Sequence, residues 1–149
     1  MANQLKVNCE VRGRRVEEQS PLHPGFEYEI LFPGTDRLEG YASVNFRNLG
    51  RYIHERVYDD WRGKFSDTDL VAEVATFYPH SMAAMEDTCE HMRQGVGTFV
   101  LERMIEDSKA EAAKIMHGFT NRTAMMNFLL KNGFTRCDDT GYFYRELQH

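Results

Sequence analysis

The stretch Met92-Arg93-Gln94-Gly95-Val96-Gly97-Thr98 decides how the rest of the chain is read. Two glycines, one residue apart, open a run in which Val100, Leu101, Met104, Ile105 and Ala112 share one helical face. Glu102, Arg103, Glu106, Asp107 and Lys109 fall elsewhere around the same helix. A glycine turn entering a helix leaves several backbone N–H groups without intrahelical acceptors, all pointing one way. They stand at the positive end of the helix dipole, about half a unit charge. Such a corner suits phosphate or another anion. A plain loop-to-helix junction can carry the same residues, so the motif needs support from the chain around it.

On either side of this turn the pattern reads as strands and helices in alternation. Residues 70–78 (Leu-Val-Ala-Glu-Val-Ala-Thr-Phe-Tyr) are short, nearly all apolar and ended by Pro79, which predicts a buried strand. Met82, Met85, Cys89 and Met92 recur at helical intervals and predict a short helix before the glycines. The long helix is expected over about 97–113, then a strand over 114–119. Asn121 is the expected N-cap of a helix carrying Ala124, Met125, Phe128 and Leu129, and Asn132-Gly133 its stop. Residues 134–137 and 142–147 read as strands joined by the turn Asp138-Asp139-Thr140-Gly141.

The first half reads differently. Residues 5–11 alternate apolar and polar, as a half-buried strand does. Residues 12–25 are polar and end in Pro21, Pro24 and Gly25, so they read as a loop. Strands are expected over 26–32 and 40–47, around the turn signal Pro33-Gly34-Thr35-Asp36. Leu49, Tyr52, Ile53, Val57 and Trp61 have helical spacing, and residues 48–61 are read as a helix, although the shared parity of Ile53, Val57 and Trp61 also permits a strand. The whole is an α/β (α+β) chain of one domain, a mixed and mostly antiparallel sheet with helices on its faces. The helical crossovers make its central strands parallel.

Composition narrows the function. The net charge is −5 and the basic residues are scattered, so no nucleic-acid footprint is present. No apolar run approaches a membrane span, and no signal sequence is evident, so a cytoplasmic protein is expected. Cys9, Cys89 and Cys137 are odd in number and widely spaced, which suits free thiols. Cys89 lies near His91, but Glu86, Asp87 and Glu90 surround it and disfavour a thiolate nucleophile. His80, Cys89 and His91 lack metal-site spacing, and no metal is expected.

The second half resembles the GNAT superfamily of acetyl-CoA-dependent N-acetyltransferases. The resemblance covers about residues 70–147. It rests on the apolar strand 70–78, on Arg93-Gln94-Gly95-Val96-Gly97-Thr98 opening a long helix, and on Asn121 followed by Phe128-Leu129-Leu130-Lys131-Asn132-Gly133-Phe134 and a final hairpin. It implies acetyl-CoA, or another acyl-CoA, as cofactor. Gly95, Val96, Gly97 and Thr98 would wrap the pyrophosphate, with Arg93 and Gln94 beside it. Val74, Thr76 or their neighbours Ala75 and Phe77 would offer backbone partners to the pantetheine arm. Asn121 matches the family's asparagine near the thiol end.

Three departures from the family pattern stand out. Met92 occupies a position often held by Arg or Gln, and the link from Tyr78 to Gly95 is long. Phe128 or Leu129 stands where a tyrosine often acts as general acid, and neither can donate a proton. Glu73, by parity with Val71, Ala75 and Phe77, is the candidate base. His54 and Glu55 are secondary candidates, and His117 reads as structural. Tyr142 or Tyr144 would have to supply the acid. The implied partner is a small-molecule or peptide amine, and the edge strands leave room for a homodimer. Two readings compete with the enzyme: a non-catalytic acyl-CoA-binding or regulatory module, and a nucleotide-binding domain.

Overall fold

The computed structural model of the protein describes residues 10–17, 24–31, 34, 38–79 and 95–147. Seven strands form one sheet among these residues, in the order β1-β2-β3-β4-β5-β7-β6. They are β1 (Glu10–Val16), β2 (Gly25–Leu31), β3 (Leu38–Asn48), β4 (Leu70–Tyr78), β5 (Ile115–Phe119), β6 (Thr135–Arg136) and β7 (Tyr142–Glu146). The helices are a 3-10 turn (Leu49–Tyr52), α1 (Tyr58–Trp61), α2 (Val96–Ala110) and α3 (Thr123–Lys131). The sheet is mixed and mostly antiparallel, as expected, with β4 and β5 parallel.

The chain divides into two compact units, Met1–Val44 with Ala75–Met104, and Asn45–Val74 with Ile105–His149. In the first unit, Tyr28 and Ile30 of β2, Ala42 and Val44 of β3, and Val100, Leu101 and Met104 of α2 are buried. The Arg103 guanidinium lies 5.9 Å from the Tyr28 ring centre, a cation–π contact. In the second unit the core gathers Leu49, Tyr52, Val57, Trp61, Val71, Ile115 and Cys137. Cys137 is a free thiol, and burial raises its pKa, which makes it a packing residue rather than a nucleophile.

Four local expectations need correction. Residues 12–16 form strand, not loop: β1 pairs antiparallel with β2 along its whole length, and Arg14 faces Glu27 directly and forms an ion pair with it. Cross-strand charge pairs of this kind hold a polar strand that apolar alternation does not reveal. Residues 48–61 are not one helix. The Leu49 and Gly50 amides donate to the carbonyls of Asp69 and Asp67, at 2.8 and 2.9 Å, so the backbone is tied to a distant loop. The spacing nevertheless marked burial correctly at Leu49, Tyr52, Val57 and Trp61; Ile53 is exposed.

Asn121 is not the N-cap of α3. Arg122 takes that place, with no side-chain cap, and its own amide donates to Thr120 Oγ1 at 3.2 Å. The expected stop does hold. Gly133 has φ +85°, and the Phe134 amide donates back to Leu129 O at 3.0 Å.

The long helix ends earlier than expected, at Ala110, and Ala112 leaves its apolar face. Ala112 has φ +66°, and the Ala113 amide closes the turn on Ser108 O at 3.0 Å. That is a helix-ending turn with alanine where glycine is usual. Ala112→Gly is therefore expected to stabilise the protein by about 0.5–1 kcal/mol. Urea unfolding should show a higher midpoint with an unchanged slope. An unchanged midpoint would mean that the left-handed alanine carries no cost here.

The expected helix over 82–92, most of the first strand (residues 5–9), and Cys9, His80, Cys89 and His91 lie outside the described residues. No helix among the described residues is long and apolar enough to cross a membrane.

Candidate active site

Glu73 lies on β4 and faces His117 on β5 at the last position of the parallel register, after Val71–Ile115 and Ala72–Met116. Beyond it, Gly118 and Phe119 pair with Phe143 and Tyr142 of β7. Val71, on the same side of the strand as Glu73, belongs to the buried core. The carboxylate thus stands at the rim of that core, with its side chain 29% exposed.

Two groups hold it. The Tyr52 hydroxyl donates to Glu73 Oε2 at 2.6 Å. Arg47 Nε lies 3.1 Å from the same oxygen, an ion pair whose N–H is not aligned as a hydrogen bond. Both contacts fall on Oε2, so Oε1 keeps its lone pairs for a further partner among the described residues. A carboxylate anchored by one oxygen and open at the other can accept a hydrogen bond or a proton there.

The surrounding charges belong to the same cluster. Burial and the nearby charge of Glu73 raise the Glu55 pKa, with Arg47 opposing. Burial, the bond to Glu73 and its charge push the Tyr52 phenol well above the usual tyrosine range, so it stays a donor. His54 is exposed. Neither Arg47 nor Tyr52 was singled out in the sequence, since an arginine at a strand end and a tyrosine at helical spacing both read as ordinary.

Behind Glu73 lies a cluster of rings. His117 stacks on Tyr142, centres 5.5 Å apart at 14°, and meets Tyr52 and Trp61 edge-on at 5.3 Å each. Tyr144 meets Trp61 edge-on at 5.8 Å. Tyr144 donates to Asp60 Oδ2 at 3.2 Å, and burial with the Asp60 charge pushes its pKa up to about 12. A phenol committed in that way is a poor acid, which counts against Tyr144 in that role.

Burial pushes the His117 pKa down to about 4, although Glu73 opposes the shift. The native state then resists taking a proton that the unfolded chain accepts near pH 6.5. Stability from this residue is fully present above pH 6.5 and is lost as pH falls toward 4. The loss is of order 3 kcal/mol, by 1.36 kcal/mol per unit. His117→Phe, which keeps a ring in place, is expected to flatten the stability curve between pH 6.5 and 4. Denaturant titrations across that window would reveal it, and an unchanged slope would assign the acid sensitivity to other groups.

The remaining residues singled out in the sequence are placed as follows. Ala75, Thr76 and Phe77 are on β4 in the first unit. Gly95 precedes α2 with φ +87°, a conformation that favours glycine, and Phe99 N–H donates to its carbonyl at 2.9 Å. The amides of Val96, Gly97 and Thr98 form the first turn, which holds no acidic side chain. Arg93 and Gln94 lie outside the described residues. In the second unit, Asn121 is exposed after β5 and Phe128 is half-buried on α3. Among the described residues no group of His, Cys, Asp and Glu could hold a metal ion.

No protein-family model matches the sequence, and no curated protein matches it at a significant level. Solved structures do match. An acetyltransferase of the GNAT family from Staphylococcus aureus superposes with a TM-score of 0.54 at 13% identity, over 83% of this chain and 68% of that one. An IAA acetyltransferase from Bacillus cereus reaches 0.56 at 12% identity, over 93% of this chain and 100% of that one. The chain has the GNAT fold. A third structure with this fold is the toxin AtaT, as a tyrosine-to-phenylalanine mutant bound to acetyl-CoA and to the C-terminus of its antitoxin AtaR. It has a TM-score of 0.52 at 9% identity, over 83% of this chain and 67% of that one. Among the described residues, β4, α2, β5, α3 and the β6–β7 hairpin follow in the expected order.

Proposed function

We propose that the protein is an acyl-CoA-dependent N-acyltransferase that moves an acetyl group from acetyl-CoA to an amine by direct attack. One observation carries the reading: on the GNAT fold, Glu73 of β4 is anchored through Oε2 by Tyr52 and Arg47 and, among the described residues, left open at Oε1. In this reading the amine nitrogen attacks the thioester carbonyl and gives up its proton to Glu73. The C–S bond then breaks, and the CoA thiolate takes a proton from Tyr142. The amides of Gly95, Val96, Gly97 and Thr98 bind the pyrophosphate, with Arg93 and Gln94 beside them. Backbone groups of Ala75, Thr76 and Phe77 line the pantetheine arm. Asn121 and Phe128 serve the thiol end. The neighbouring toxin solved with acetyl-CoA supports the choice of cofactor.

Phe128 favours a second reading. A GNAT chain without the usual phenol on α3 could bind acyl-CoA and not turn it over. Calorimetry with CoA, followed by thioester turnover with a peptide N-terminus, a lysine peptide, a polyamine and an aminoglycoside, separates the two. Binding with turnover supports the enzyme, and binding alone supports the module. No heat of binding would end both.

A further inference from the structure

The ring cluster behind Glu73 holds three polar atoms that the acyl-transfer reading does not use. Both ring nitrogens of His117 and Nε1 of Trp61 are buried without a hydrogen-bond partner among the described residues. His117 is 3% exposed and Trp61 1%. Such groups are costly to leave unpaired, and in native proteins they are almost always satisfied, often by internal water. The three atoms also complement one another. The indole N–H only donates, and a neutral imidazole has one donor and one acceptor. Glu73 Oε1, on the neighbouring strand in direct register with His117, adds an acceptor.

We propose that His117 and Trp61 hold an internal water beside Glu73, and that through it His117 is a positioning residue for the Glu73 carboxylate. The proposal rests on the acyl-transfer reading for its role, and on the buried nitrogens for its site. Trp61, His117 and Glu73 give the water three polar partners, within the usual range for a buried one. Tyr52 and Arg47 fix Oε2, and the water fixes the direction of Oε1, so the base meets the amine in one orientation. The imidazole stays neutral throughout this role, walled in by the rings of Tyr52, Trp61 and Tyr142. The charged and titratable groups around it are Glu73 on β4, Arg47 on β3, Tyr52 and Glu55 in the connection after β3, Asp60 on α1, and Tyr142 and Tyr144 on β7.

The test uses the full chain and two independent readouts. Trp61 is the single tryptophan, so its indole N–H resonance is unambiguous. A cross-peak between that proton and a long-lived water is expected in the wild type and should vanish in His117→Phe. Acetyl transfer by His117→Phe should fall by about 10- to 100-fold in kcat with KM within twofold, the loss of part of a general-base contribution. His117→Gln, which keeps a donor and an acceptor, should restore most of it. A wild type without the cross-peak would overturn the proposal, as would full kcat in His117→Phe. A wild type that turns over no amine would overturn the acyl-transfer reading instead, and the cross-peak alone would then decide the water site.

Discussion

A Gly97→Glu variant is expected to lose CoA binding while folding as well as the wild type. Gly97 lies in the first turn of α2, where, among the described residues, Phe99 is the first whose amide bonds back along the helix, to Gly95 O. The amides before it are the donors that would meet a pyrophosphate. No acidic side chain occupies that turn. A glutamate there complements the helix dipole, worth roughly 0.3–1 kcal/mol in its favour. The same carboxylate repels each phosphate charge. At ~5 Å and an effective dielectric of ~20 that is about 3 kcal/mol per pair, more than a hundredfold in affinity. Stability and affinity therefore move in opposite directions, which a misfolded variant cannot imitate. Calorimetry beside a thermal melt would show it. Unchanged CoA affinity would remove this corner from the cofactor site.

Glu73→Gln carries the largest expected loss of turnover, about 10²- to 10⁴-fold in kcat/KM at neutral pH, the usual worth of a general base. The amide keeps the size of the side chain and can still accept from Tyr52. It cannot take the amine's proton, and it leaves the Arg47 guanidinium, 20% exposed, without its counter-charge. That unpaired charge should cost stability, by about 1 kcal/mol given its contact with solvent. CoA affinity should stay within twofold, because no proposed phosphate contact involves this residue. Turnover at the wild-type rate would move the base elsewhere, with Glu55 the next candidate.

The elements read best in the sequence are those whose signals are local. Strand β4 has the expected bounds, because an apolar β-branched run ended by proline leaves little choice. Gly133 stops α3 for a reason confined to one residue, a left-handed turn that glycine adopts freely. Where a polar residue formed strand, as at Arg14, its charge partner Glu27 lay on another strand, and no periodicity showed it. The start of α3 slipped by one residue from Asn121, within the ordinary uncertainty of helix ends.

Over residues 96–147 the sequence by itself determined in what order strand and helix follow one another, because burial periodicity and end signals act over a few residues. It marked Glu73 as a carboxylate on a strand made of apolar neighbours. Only the tertiary structure decided which groups meet that carboxylate. Tyr52 is 21 residues away along the chain, and it reaches Glu73 because residues 49–50 are bonded to the loop at 67–69 rather than continuing as helix. His117 comes beside Glu73 only through the parallel register of β4 and β5. Such meetings depend on strand pairing and chain reversal, which are settled by the sum of distant contacts and not by any short stretch of residues.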